Sequence, residues 1–258
     1  MIVVGTSGFS YADWVGPFYP QSLAKQDFLS YYSQHFQVCE LNFSYYRVPT
    51  AQTLERMAQK SGEQVEFVVK ANKMMTHERS SDSQSVFTHF VEALTPLKER
   101  QLLGAVLAQF PYSFHNTPKN RDYVKRVREL LGTIPLVIEF RHHKWMKEAT
   151  FALLKELGCG FCCVDEPQLP GLLPPVAVAT SDIGYVRFHG RNRETWWQHT
   201  DPAERYDYCY TETELQKWVP KIQRLEKHTQ KVYVFTNNHP NGQAVQNAQD
   251  LQALFQGS

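Results

Sequence analysis

Glu139 and Arg141 stand two residues apart in the stretch LVIEFRHHKW, where the apolar run Leu136 to Ile138 meets opposite charges. A strand buried on both faces is almost wholly apolar, so charges inside one need partners or a task. Alternation places Glu139 and Arg141 on one face and Ile138 and Phe140 on the other. Taken alone, the pair reads as a buried ion pair that fixes strand register. The pattern recurs, however. Apolar runs elsewhere end in Thr6, in Glu40 and Asn42, in Lys70 and Asn72, in Gln109, in Asp165, in Arg187 and His189, and in Asn237.

Glu40, Glu139 and Asp165 supply negative charge to this set, and Lys70, Arg141 and Arg187 supply positive charge. Arg47 and Arg191, just beyond their strands, add two more cations at the expected mouth. Fixed cations in that number suit a carboxylate, a phosphate or a developing oxyanion better than a bare divalent-metal cage. His189 titrates near neutrality and suits a general acid or base; a strand-end histidine paired with a carboxylate is the structural reading. Lys70, set among acids, reads as an electrostatic stabiliser rather than a Schiff-base nucleophile, because no apolar surroundings are visible to lower its pKa. Glu139, Asp165 and His189 come from three consecutive strands, and as metal ligands they form the alternative reading. No cofactor is otherwise indicated. Gly-rich phosphate loops, nucleophile elbows and paired-cysteine metal motifs are missing from the sequence.

The elements that must carry these residues follow from the hydrophobic periodicity. Eight strands are expected at Ile2 to Gly8, Val38 to Tyr46, Glu66 to Asn72, Gly104 to Pro111, Leu136 to His142, Gly160 to Asp165, Gly184 to Arg191 and Lys231 to Asn238. Helices are expected near Lys25 to Phe36, Thr50 to Lys60, Ser85 to Arg100, Lys119 to Leu131, Glu148 to Leu157, Thr211 to Lys227 and Ala244 to Leu254. A polar loop carrying His77 precedes the third of these. Pro167, Pro170, Pro174 and Pro175 exclude a regular helix between strands six and seven. Strands alternating with helices imply a parallel sheet, and eight repeats in 258 residues imply closure into a single-domain (β/α)8 TIM barrel. Its active site belongs at the C-terminal strand ends, where the polar residues gather.

A formal net charge of +1 gives no whole-molecule field, so nucleic acid is not favoured as a partner. No apolar run reaches membrane-span length, and the N-terminus starts directly as a strand without a basic leader. Five cysteines without metal-ligand spacing point to reduced structural thiols and a cytoplasmic setting. Trp14, Tyr11, Trp196 and Trp197 fall in loops, where aromatics either pack a rim or stack on sugars or bases.

The ordered motifs GTSGFSYADWVGPFYP, ELNFSYYRVPT, FVVKAN, QFPYSF, EFRHHKW, YVRFHGR and FTNNHPNGQAVQNA resemble the YecE-like family, domain of unknown function 72. The resemblance spans nearly the whole chain and implies a TIM barrel, but no established reaction. It implies functional roles for Thr6, Gly8, Trp14, Glu40, Asn42 and Tyr46 in the first two motifs. Lys70, His77, Gln109, Glu139, Arg141 and Trp145 follow in the middle of the chain, then Arg187, His189, Gly190 and Asn237. Phe9 and the Phe43-Ser44 pair depart from the family pattern.

The expectation from the sequence is an enzyme using acid-base chemistry on a small anionic or sugar-containing substrate. Glu139, His189, Lys70 and Glu40 form the candidate catalytic set. Thr6, Trp14, Asn42, Tyr46, Asn72, His77, Gln109, Arg141, Trp145, Arg187, Arg191 and Asn237 are the candidate binding residues. The alternatives are a metal-dependent phosphodiesterase or nucleic-acid repair hydrolase, and a non-catalytic binder of nucleic acid or an anionic metabolite.

Overall fold

Eight parallel strands close one barrel in sequence order in the computed structural model, which describes residues 1–79 and 83–256. They are β1 (Ile2–Ser7), β2 (Val38–Leu41), β3 (Glu66–Lys70), β4 (Leu103–Gln109), β5 (Leu136–Glu139), β6 (Gly160–Asp165), β7 (Ile183–Phe188) and β8 (Lys231–Thr236). The ring closes where β1 pairs with β8, from Ile2 opposite Val232 to Thr6 opposite Thr236. The chain therefore forms a (β/α)8 TIM barrel.

The outer layer comprises α1 (Phe28–Tyr32), the single turn α2 (Phe43–Tyr46), α3 (Ala51–Lys60), α4 (Ser83–Ala93), α5 (Thr95–Glu99), α6 (Pro118–Leu131), α7 (Glu148–Glu156), α8 (Glu212–Gln216), α9 (Val219–Glu226) and α10 (Gln243–Gln256). Several starts are set by local chemistry. The Thr50 and Thr117 hydroxyls accept from the Thr53 and Asn120 amides, and Thr211 and Glu214 form a capping box. No helix among the described residues joins β6 to β7, as the four prolines dictate.

Several expectations change. The first helix shortens to Phe28–Tyr32, and the seventh strand stops at Phe188, leaving His189 and Arg191 beyond it. The second strand stops at Leu41 rather than Tyr46, because the Asn72 side chain donates to the Ser44 and Tyr45 carbonyls and folds that segment into α2. The fifth strand stops at Glu139, which leaves Arg141 on the loop above it. The helices expected at Ser85 to Arg100 and Thr211 to Lys227 are each two helices, broken beside Pro96 and Pro220. His77 lies on a helical turn, Met74–Glu78, and residues 80–82 of the expected polar loop lie outside the described residues.

The barrel interior is layered. At the floor, the Tyr233 hydroxyl donates to Glu66 across Gly104, where a Cβ would come within 2.7 Å of that oxygen. Above it, the Tyr185 ring lies tilted against Phe235, with centroids 5.4 Å apart, and its hydroxyl donates to Glu40 at 2.6 Å. The next layer is charged.

Candidate anion-binding active site

Arg187, at the top of β7, is 1% exposed and spans the barrel. Its Nη2 donates to Glu40 Oε1 on β2 at 2.6 Å, and its Nη1 donates to Glu139 Oε2 on β5 at 2.7 Å. Glu139 Oε1 also meets His189 Nε2 at 3.1 Å. Arg141 Nε lies 2.6 Å from the same oxygen, as a close charge contact whose angle is not that of a hydrogen bond. Burial alone would raise the Glu139 pKa, but Arg141, Arg187 and His189 overcome it and hold the carboxyl well below the usual range. Glu139 is thus ionised at neutral pH.

His189 is fully buried, and its pKa is driven well below the ordinary value by burial and by Arg141. The Asn237 amide nitrogen lies 3.0 Å from Nδ1, so a neutral ring accepts there and donates from Nε2 to Glu139. Both groups are 0% exposed, and they sit under the floor of the cavity rather than in its wall.

That cavity holds about 490 Å³ at the C-terminal mouth of the barrel. Its wall carries Lys70, Arg141, Arg187 and Arg205 and, among the described residues, no carboxylate. Asn42, Gln109, Asn237 and His77 add polar groups, while Tyr11, Tyr45, Tyr112, Trp196, Trp197 and Tyr206 supply aromatic surface. Tyr46 is 76% exposed at the lip and Trp197 49% exposed. Lys70 ends β3, and its Nζ lies 4.8 Å above the Tyr45 ring. Burial and the nearby Arg187 lower its pKa to about 7, outweighing Glu139 and Glu40. Structure therefore supplies the desolvation that the sequence did not show. His77 is pushed down to about 4 by burial and Lys70, so it enters the site neutral.

Other candidates are placed elsewhere. Asp165 faces outward from β6, where Arg191 grips both its oxygens at 2.7 Å and Tyr210 and Trp218 donate at 2.8 and 2.6 Å. It cannot join Glu139 and His189, and no metal-holding group of three such side chains occurs among the described residues. The metal alternative is corrected on that ground. Arg191, bound to Asp165 and Glu214, is likewise outside the cavity, and Arg47 is exposed away from its wall. Trp14 and Trp145 are 0% exposed; their indoles donate to the His239 and Phe114 carbonyls, so they pack beneath the rim instead of covering a ligand. Thr6 bonds the Gly8 carbonyl and Tyr32, and Asn72 anchors α2. Both are positioning residues.

Glu166, next to the misplaced Asp165, was not singled out from the sequence. Its Oε2 lies 3.5 Å from Arg141 Nη1, its Oε1 accepts from the Leu173 amide, and burial raises its pKa to about 7. Cys162 faces Glu139 from the same strand, so two-residue alternation carried past the strand end would have found Glu166. Arg205, Tyr112 and His239 come from loops that carry no such signal.

Comparison with known proteins agrees with this architecture. The curated UPF0759 protein YunF of Bacillus subtilis (strain 168) is 32% identical over 270 residues, covering 99% of this chain and 95% of YunF. A solved DUF72 family protein from Thermotoga maritima MSB8 is 39% identical, with a TM-score of 0.92 and 99% of each chain covered. A DUF72 family protein from Enterococcus faecalis V583 is 26% identical with a TM-score of 0.88, covering 100% of this chain and 96% of its own. The family described as "Protein of unknown function DUF72" matches residues 3–258, and the chain belongs to it.

Proposed function

We propose that this protein is an enzyme that binds a small anionic substrate with a flat sugar or ring face and moves protons with Lys70. The observation that carries the reading is the cavity wall itself, which presents four basic side chains and no carboxylate among the described residues. Glu40 and Glu139 are engaged by Arg187 beneath the floor and offset its charge, so Lys70, Arg141 and Arg205 are the cations that a ligand meets. Arg141, held from behind by Glu139, is preorganised to meet an anion. Glu139 and His189, which the sequence suggested as proton carriers, are better suited to fixing Arg141 and Asn237. Lys70, poised near neutrality and facing the cavity, suits the proton-carrying role.

Aromatic rings around the mouth support a substrate with a face to stack upon. No helix among the described residues is long and apolar enough to cross a membrane. All five cysteines are unpaired, which fits a reducing compartment such as the cytoplasm.

The test is a thermal-shift screen of sugar phosphates and sugar acids, followed by product analysis on each binder. A binder is expected to be converted, with Lys70→Met losing turnover by about 100-fold or more while retaining affinity within about tenfold. Failure of every anion to bind would overturn the reading. Tight binding without turnover, equal in wild type and Lys70→Met, would reduce the protein to a binder.

A further inference from the structure

We propose that Lys70 is a nucleophile, forming an imine with the carbonyl carbon of a small anionic aldehyde or ketone held in this cavity. The inference rests on the anion-binding reading above and names the substrate's reactive group. Lys70 Nζ opens onto the cavity from the last position of β3, and no carboxylate among the described residues pairs with it. Its approach is fixed on two sides. The Ser44 hydroxyl donates to the Lys70 carbonyl at 2.6 Å, and the Asn72 amide ties down the turn that carries the Tyr45 ring under Nζ.

Arg141 and Arg187 share the wall with this amine. Arg141 would hold a carboxylate or phosphate while its carbonyl carbon meets Nζ. The same guanidiniums disfavour a third positive charge beside them, which keeps the amine in its nucleophilic form near neutral pH. Glu139 and Glu40 favour the ammonium, as does contact with the Tyr45 face, but burial and the two arginines outweigh the carboxylates.

The step balances without an outside oxidant or reductant. The Nζ lone pair forms a bond to the carbonyl carbon, and the π electrons move to oxygen, which takes up a proton as nitrogen loses one. The carbon–oxygen bond of that adduct then breaks and water leaves, giving the imine. An imine withdraws electrons from the adjacent carbon, so proton removal or carbon–carbon cleavage next to it becomes accessible.

Trapping with the full chain tests the idea. The probe is pyridoxal 5′-phosphate, an anionic ring aldehyde, at about pH 7.5, where an ordinary lysine is almost fully protonated. Sodium borohydride then delivers hydride to the imine carbon and fixes it as a secondary amine. Peptide mass mapping is expected to place the label on Lys70 at least about tenfold over any other lysine. Pyridoxine 5′-phosphate, with an alcohol in place of the aldehyde, is expected to suppress it. The label is expected to vanish from that peptide in Lys70→Arg.

Lys221 is the internal control: it too has a lowered pKa, over the Trp218 ring, but it lies outside the cavity. Labelling spread over many lysines, or concentrated on Lys221, would overturn the inference. Should Lys70→Arg fail to fold, the wild-type map still decides. If pyridoxine 5′-phosphate raises Tm and Arg205→Ala abolishes the rise, yet no adduct forms at Lys70, the imine falls and the anion site stands. If the alcohol neither binds nor protects and no adduct forms, both fall.

Discussion

Arg187 Nη2 donates to Glu40 Oε1 at 2.6 Å across the barrel, joining β7 to β2, which are not neighbours in the sheet. The pair is 1% and 0% exposed, and the other arm of the guanidinium holds Glu139. Removing one partner of a buried pair leaves charge without compensation. Arg187→Met is therefore expected to lower unfolding free energy by about 3–5 kcal/mol at neutral pH. In the wild type the Glu139 pKa is depressed, so its contribution is present above the unfolded carboxyl value and lost as pH falls. In the variant Glu139 loses one of the cations that hold its pKa down and protonates more easily, so the difference between the proteins shrinks as pH falls toward about 4. Urea unfolding at neutral and acid pH checks both statements; a gap that widens in acid contradicts the assignment.

Lys70 makes a second statement about pH, of the same sign but in the alkaline window. Its folded pKa, lowered to about 7, lies below that of the unfolded chain, so between about pH 7 and 10 the unfolded state binds more protons. Stability from this group rises with pH through that window. Lys70→Met removes the term, and the wild-type-minus-variant stability difference is expected to increase steadily from pH 7 to 9. A flat difference would show that the amine titrates normally and would remove the basis for its proton-carrying role.

Much of the barrel was legible because strand cores are apolar and their C-terminal ends are not. Lys70, Gln109, Arg141, Arg187 and Asn237 were each found that way, and all five reach the cavity. Side-chain direction was less legible. Asp165 and Glu166 are adjacent acids at the end of β6, and only the phase of the strand decides that Glu166 turns to Arg141 while Asp165 turns to Arg191. Aromatic loops failed for another reason. Trp14 and Trp145 look like ligand platforms until their indoles are seen to be satisfied by backbone carbonyls from residues 225 and 31 positions away. Nothing local in the sequence encodes such partners.

Asp165 belongs to the packing between barrel and helices, and it should behave so. Asp165→Asn removes the charge opposing Arg191 while leaving Tyr210 and Trp218 to bond an amide that can accept only through oxygen. The expected result is a loss of about 3–5 kcal/mol of stability, with the affinity for an anionic ligand unchanged within about twofold at a temperature where the fold persists. Calorimetric titration alongside thermal melting separates the two effects. A variant of normal stability that no longer binds would return Asp165 to the site.

Glu166 offers the opposite case, a buried carboxyl whose charge costs stability. Burial raises its pKa to about 7 despite Arg141 and the Leu173 amide, so the folded state holds a proton that the unfolded chain has released above about pH 4.3. Its contribution is complete below the unfolded pKa and is lost as pH rises through about 7. Glu166→Gln preserves the shape and an oxygen able to accept from Leu173, but it cannot ionise. The variant is expected to match the wild type near pH 4, then gain relative stability through pH 5 to 7, reaching on the order of 1–3 kcal/mol by pH 8. At the same time Arg141 loses the anion 3.5 Å from its Nη1, so that nitrogen is freed toward the cavity. Anion affinity at pH 8 should then rise rather than fall, since the ligand no longer competes with Glu166 for the same guanidinium. Thermal melts from pH 4 to 8 and one anion titration at the upper end read both effects. A variant destabilised at pH 8, with weaker anion binding, would mean that ionised Glu166 stabilises the fold and holds Arg141 in place instead of competing for it.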